Sequence, residues 1–259
     1  MRAARTASSG RARAAIESLL VAAALLALWW FASHQQWLSK VFLPTPEATL
    51  ESLLQGLVRG ELSGFTLATL QRMLLGWLLA SAIGVGLGAL IGASSTARIW
   101  IAPTLEFLRP LPASALLPLA ISLLGLSNGM VLAVVAFGAM WPVLLATVHG
   151  LVAVHVGLRQ VATALQLSRS AFVFKIGLPN ALPDILAGMR LSMTVSLIVA
   201  VVGEMIASQP GLGQAILLAA RSFRASELFA GIVLLGGMGF LSNALLSVLE
   251  AAFLKWQRP

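Results

Sequence analysis

Glu204 and Arg72 are ionisable residues set inside long apolar runs of this chain. Each would cost about 2–3 kcal/mol or more if left alone in a bilayer, so each must face protein or water. Counted from Ile185, Glu204 lies ~28 Å along a helix rising ~1.5 Å per residue, close to the far edge of a ~30 Å hydrocarbon layer. Arg72 lies at a similar depth, two turns beyond Phe65. One reading is a structural ion pair, which across the second and fifth helices would hold an outer gate shut; the other puts the two residues on the substrate route. Ser192, Thr194 and Ser196 add hydroxyls to the same stretch, although hydroxyls in such helices commonly bond back to their own backbone. Other chemistry is not provided for. Lys40, Lys175 and Lys255 follow Ser, Phe and Leu, so no glycine-rich phosphate loop ends in lysine. His34, His149 and His155 have no metal-ligand spacing with carboxylates. No cysteine is present, and no serine elbow or carboxylate pair suggests a hydrolase. The expectation is a chain that binds no cofactor or metal of its own.

The elements that must position these residues are membrane-spanning helices. Hydrophobic residues make up 59% of the chain and charged residues 10%, and the mean hydropathy is +0.93. These values belong to an all-α, polytopic integral membrane protein. After a basic tail over residues 1–15, a single membrane domain covers 16–259. Apolar runs predict six spans, at about 16–33, 65–93, 103–124, 130–151, 185–206 and 228–254. Trp29, Trp30 and Phe31 close the first as an interfacial aromatic belt. Pro46-Glu47 opens an amphipathic helix along the outer surface, with Leu50, Leu53, Leu54, Leu57 and Val58 on one face. Gly84, Gly88 and Gly92 form a small-residue ridge on the second span that lets another helix approach closely. Pro110, Pro112 and Pro118 interrupt the third, and Pro142 kinks the fourth.

Residues 152–184 form a polar loop between the fourth and fifth spans. Val161, Leu165, Ser168 and Phe172 recur there at helical spacing among Arg159, Gln160, Arg169 and Lys175. Pro179 and Pro183 are expected to stop this helix, and Asp184 to cap the next. Six spans place both ends of the chain on one side. Arg2, Arg5, Arg11, Arg13, Arg98, Arg109, Arg159, Arg169, Lys175, Arg190, Lys255 and Arg258 fall on that side, against Lys40, Arg59, Arg72, Arg221 and Arg224 opposite. The bias puts the termini and the polar loop in the cytoplasm. The net charge of +8 is then a consequence of topology and calls for no nucleic-acid partner.

The polar loop resembles the EAA loop of the membrane subunits of ABC importers. Ala162, Ile176, Leu178 and Pro179 fall in register with that pattern, while Gln160 stands where the family has Glu and Gln166 where it has Gly. The likeness extends along the chain. It includes Phe42-Leu43-Pro44-Thr45-Pro46, Arg72-Met73-Leu74-Leu75-Gly76, Phe107-Leu108-Arg109-Pro110-Leu111-Pro112, Gly203-Glu204-Met205 and Gly211-Leu212-Gly213. This series is similar to the permeases for nitrate, sulfonates and taurine. The resemblance implies a type I importer fold in a bacterial inner membrane, working as a homodimer. It implies partner ATPase subunits that carry ATP and Mg, and an extracytoplasmic binding protein that delivers a small anionic solute. It makes Gln160, Val161, Ala162, Leu165, Gln166, Phe172, Ile176, Leu178 and Pro179 the ATPase-coupling residues. The rival from another class is a proton-coupled carrier using Glu204. Such carriers show paired broken helices in two halves, and no internal repeat of that kind is evident here.

Overall fold

The structure, a computed structural model, describes residues 2–58 and 60–254. Arg59, Lys255 and Arg258 of the charge tally therefore lie outside the described residues. Among the described residues the order is α1 (Arg2–His34), α2 (Pro46–Val58), α3 (Leu62–Ala93), α4 (Ser95–Leu108), a 3₁₀ turn (Ala113–Leu116), α5 (Leu117–Leu124), α6 (Asn128–Val152), α7 (Val156–Ala164), α8 (Arg169–Phe172), a π-helical turn (Val173–Gly177), α9 (Leu178–Ala207), α10 (Leu212–Arg221) and α11 (Ala225–Phe253). Five stretches are long and apolar enough to cross a bilayer: Ile16–His34, Leu62–Ala93, Asn128–Val152, Arg169–Ala207 and Ala225–Phe253. Taken together, Ser95–Leu108 and Ala113–Leu124 have the length and apolarity of one more, bent by 82° at the break between the halves.

Two compact units can be distinguished. One takes its residues from Met1–Ser63 and Ile216–Val233, the other from Gly64–Ala215 and Leu234–Pro259. In the first, the aromatic belt at the end of α1 finds polar partners. The Trp29 indole donates to the Pro44 carbonyl at 3.0 Å and the Trp30 indole to Glu47 at 2.8 Å. Trp29 also stacks on Phe229, with ring centroids 5.6 Å apart. Glu47 sits in the first turn of α2, where its own backbone N–H holds its carboxyl below the usual range.

The second unit is built on α6. The α3 ridge lies against it so closely that a Cβ on Gly84 would come within 2.9 Å of the Met140 carbonyl, and one on Gly88 within 2.8 Å of the Leu144 carbonyl. On the other side of α6, a Cβ on Gly188 of α9 would meet the Pro142 carbonyl at 2.8 Å. Small residues on both sides thus let three helices touch along their backbones, the arrangement by which helices associate where water supplies no drive. Leu117, Met130, Val131, Val135, Val199 and Ala200 form the half of the core toward the start of α6. Leu151, Ala181 and Ile185 form the half toward its end. Ser192 and Ser196, buried in the contact between α6 and α9, use their hydroxyls there: Ser192 donates to the Ala139 carbonyl at 2.7 Å and Ser196 to the Ser192 carbonyl at 2.9 Å. Gly88→Ala should therefore cost about 1–3 kcal/mol by overpacking. Gly86→Ala, whose Cβ would meet nothing within 4 Å, should leave stability unchanged or slightly raised. Thermal unfolding of the two purified variants compares them directly.

Three local expectations are corrected. Pro179 and Pro183 do not stop a helix. The backbone stays helical from Arg169 into α9, with Pro179 in the first turn of α9, where a missing N–H is harmless, and Pro183 beyond it. Asp184 consequently lies inside α9 and caps nothing. The third span does not begin near Pro103: α4 starts at Ser95, capped by the Ser94 hydroxyl, and runs through Pro103 and Arg98. The amphipathic run from Val161 to Phe172 is not one helix either, because α7 and α8 are separated by a turn at residues 165–168.

Candidate functional site

Two clusters, at opposite ends of α6 and α9, carry the polar chemistry of the second unit. At one end, by the start of α6 and the close of α9, Arg72 and Glu204 meet. Arg72 Nη1 lies 2.7 Å from Glu204 Oε1, with Glu204 fully buried and Arg72 8% exposed. The pair is part of a closed network. Glu204 Oε2 accepts from the Thr69 hydroxyl and from the Gly213 N–H, both at 2.9 Å, and Thr69 in turn accepts from the Leu212 N–H at 2.9 Å. Arg72 also donates from Nη1 to the Pro210 carbonyl at 2.7 Å and from Nε to Asn128 Oδ1 at 2.9 Å. The carboxylate thus sits over the first N–H groups of α10, the favourable end of that helix for an anion.

Sequence explains why the loop can close on this pair. Ser208 adopts a left-handed conformation, φ 52°, and ends α9. The chain then folds back with Gly211 against the Glu204 carboxylate and Gly213 against the Val201 carbonyl, so that a Cβ at either glycine would overlap its neighbour. Gly203 leaves room for Val131 of α6, 2.9 Å from where its Cβ would stand. Thr69, Asn128 and Pro210 are partners that sequence reading missed. Thr69 had one visible signal, its place three residues before Arg72 on the same helix face.

At the other end, by the close of α6 and the start of α9, residues 153–177 form a hook. Arg159 clasps it to α6: its guanidinium donates to the carbonyls of Leu151 at 3.1 Å and Val152 at 2.9 Å, and through Nε to that of Val154 at 3.3 Å. The Leu151 and Val152 carbonyls are among those left unpaired where α6 ends, and a cation there also opposes the helix dipole. Ala162 is buried beneath α7, while Gln160, Val161 and Leu165 are exposed, the last at 66%. The turn after α7 is a Schellman closure. The Leu167 N–H bonds the Ala162 carbonyl and the Gln166 N–H that of Thr163, both at 3.0 Å. Gln166 occupies the left-handed position of that turn with φ 49°. The bend that glycine makes freely is thus kept with glutamine, at a cost of about 1 kcal/mol. Phe172 is half buried, and Phe174 stands exposed instead. Ile176 lies in the π turn, and Leu178 and Pro179 open α9. Thr194 is exposed on the face of α9 opposite Ser192 and Ser196, so the three hydroxyls do not share a surface. His149 and Asp184 approach to 3.8 Å near the hook, both well exposed.

Comparison with known proteins places this arrangement. Residues 81–258 match the family described as binding-protein-dependent transport system inner membrane component. A protein assigned as an aliphatic sulfonates transport permease in Bacillus subtilis is 32% identical over 93% of this chain and 88% of its own length. The taurine transport system permease protein of Escherichia coli is 30% identical over 90% of this chain and 87% of that one. The nitrate import permease protein of a Synechocystis species is 32% identical over 71% and 67%. In fold, the chain is similar to a solved amino acid ABC transporter, with a TM-score of 0.57 at 19% identity, covering 79% of this chain and 93% of that one. The chain belongs to the family of binding-protein-dependent inner-membrane components, as a multi-pass translocation subunit of an ABC importer in the branch of those sulfonate, taurine and nitrate permeases.

Proposed function

We propose that this permease is a non-catalytic half of a homodimer in the bacterial cytoplasmic membrane, importing a small anionic solute of the sulfonate, taurine or nitrate kind. Two ATPase subunits carry ATP and Mg on the cytoplasmic side, and an extracytoplasmic binding protein delivers the solute. The observation that carries this reading is the hook: α7 is pinned to the end of α6 by Arg159, yet presents Val161 and Leu165 outward. A rigid arm with an unpaired apolar tip can receive a push from a partner and pass it to α6, and through the π turn to α9. The coupling residues are accordingly Gln160, Val161, Ala162, Leu165 and Gln166 on the arm, with Phe172, Ile176, Leu178 and Pro179 linking it to α9. At the far ends of the same helices, the network around Arg72 and Glu204 would act as an outer latch. The solute class is supported by the activities for which the relatives are named. None of these relatives is named as a proton-coupled carrier, and Glu204 is already held by three donors.

Reconstituted vesicles test the mechanism. With permease, ATPase and binding protein present, taurine, ethanesulfonate or nitrate should accumulate when ATP is supplied on the ATPase side. An imposed proton gradient alone should drive nothing; uptake on the gradient without ATP would favour the carrier reading. Orientation is checked separately: reporters placed near Gln166 and after Pro259 should read cytoplasmic and one near Gly211 external, as the basic bias requires. An external reading at Gln166 would rule out contact with any cytosolic ATPase.

A further inference from the structure

The third span breaks at its own charged residue. α4 ends at Leu108, the second half departs at 82°, and Arg109 stands at the break with its backbone N–H bonded to the Leu105 carbonyl at 2.8 Å. The Arg109 side chain is exposed and makes no hydrogen bond or ion pair with any described residue. Beside it is a cavity of about 300 Å³, walled by Arg109, Ser114, Gly138, Trp141, Val195 and Val199 among others, at the lower end of ligand-pocket volumes. Gly138 and Trp141 lie ~15–20 Å along α6 from its outer end at ~1.5 Å per residue, near the middle of the span. The cavity is therefore between the Arg72–Glu204 network and the hook, and Arg109, about four turns beyond Ser95, stands inside the span and not on the cytoplasmic side to which the charge tally assigned it.

An unpaired guanidinium at that depth is tolerated only where it borders water or an anion. Two other features point the same way. Pro142, also in the wall, has no N–H, so the Gly138 carbonyl loses its helical partner, and a break of this kind belongs beside a wet cavity. Trp141 is 6% exposed, and its indole nitrogen is buried without an acceptor. A buried N–H left unpaired is costly unless something brings an acceptor to it. The rest of the wall is mostly apolar, with Val195 and Val199 from α9, which suits a solute with a small charged head and little else.

We infer that this cavity is the transient holding site for the solute in the membrane, with Arg109 binding the head of a small sulfonate-type oxyanion and the Trp141 N–H supplying a further donor. The inference rests on the anionic-solute reading above and adds the place and the residues. Arg109 is the main contact, because its fork matches two oxygens at once where a lysine would offer a point charge. Arg109→Gln should fold, since the side chain supports nothing else in the protein.

The test uses vesicles holding permease, ATPase and binding protein, with taurine, ethanesulfonate and nitrate as probes. For whichever anion the unaltered complex imports, Arg109→Gln should raise KM about 10- to 100-fold. Arg109→Lys should recover part of the loss, and Trp141→Phe should raise KM about three- to tenfold. In the unaltered complex, saturating anion should also protect Arg109 from phenylglyoxal, read by mass spectrometry, which needs no variant to fold. Unchanged KM in Arg109→Gln, or no protection, overturns the site while leaving the anionic reading in place. Failure of the unaltered complex to import any of the three anions, with ATP-driven import of a neutral or cationic solute instead, overturns both.

Discussion

Leu165→Asp is expected to abolish co-purification of the ATPase subunit while leaving the permease folded. Leu165 ends α7 and is 66% exposed, with Val161 one turn before it at 51% and Phe174 nearby in the hook at 70%. A hook that exposes such side chains in water has its complement elsewhere. Seating a leucine in a partner's cleft contributes about 1.5–3 kcal/mol. A carboxylate in the same place would be buried without a counter-charge and would oppose docking by more than the leucine gave. The permease itself should tolerate the change, because no packing in the chain depends on that side chain. Pull-down of the ATPase on tagged permease, beside a size-exclusion profile of the permease alone, separates loss of docking from loss of fold. Retention of the complex at normal yield would mean that the docking face is not here. Phe172→Asp should do less through docking and more through local stability, since Phe172 is half buried.

How much of this could be read beforehand differs by residue. The glycine ridge on α3 was legible because a four-residue spacing on a helix has one geometric meaning, and Gly84, Gly88 and Gly92 all face α6. The proximity of Arg72 and Glu204 was legible from depth alone, since helical rise places both near the same membrane edge. Their other partners were not, because Asn128, at the start of α6, and Pro210, in the turn after α9, reach the pair only through the tertiary fold. The prolines of the hook misled because a proline that ends one helix looks, in sequence, like a proline that begins another. Pro179 begins one, and the change of direction is made upstream, at the Gln166 turn. That turn was legible only through the resemblance, which has Gly at position 166: glutamine is rare with positive φ, and the closing bonds from Gln166 and Leu167 hold it there. The role of Arg159 was also hidden. Whether a basic residue in a loop is solvated or caps a helix depends on where the chain turns, and here it turns back onto the end of α6.

Breaking the Arg72–Glu204 pair should produce the largest effect within the permease itself. Arg72→Gln leaves a fully buried carboxylate with only the Thr69 hydroxyl and the Gly213 N–H as donors. Glu204→Gln leaves a buried guanidinium facing an amide that also presents N–H groups. Removal of one member of a buried pair costs about 3–5 kcal/mol, because the survivor remains desolvated and uncompensated. The double variant Arg72→Gln/Glu204→Gln leaves no lone charge, so it should be less impaired than the sum of the singles, with a coupling of about 0.5–3 kcal/mol in a double-mutant cycle. Thr69→Val should cost about 1–3 kcal/mol by stranding the Leu212 N–H. The same cycle run on ATP hydrolysis tells a latch from a brace. As a latch across α3, α6, α9 and the Pro210–Gly213 loop, the network should restrain the outer ends, so each single variant should raise hydrolysis in the absence of binding protein. As a brace alone, it should lower thermal stability and leave basal hydrolysis per folded complex where it was. Additive costs in the stability cycle would contradict the 2.7 Å contact itself.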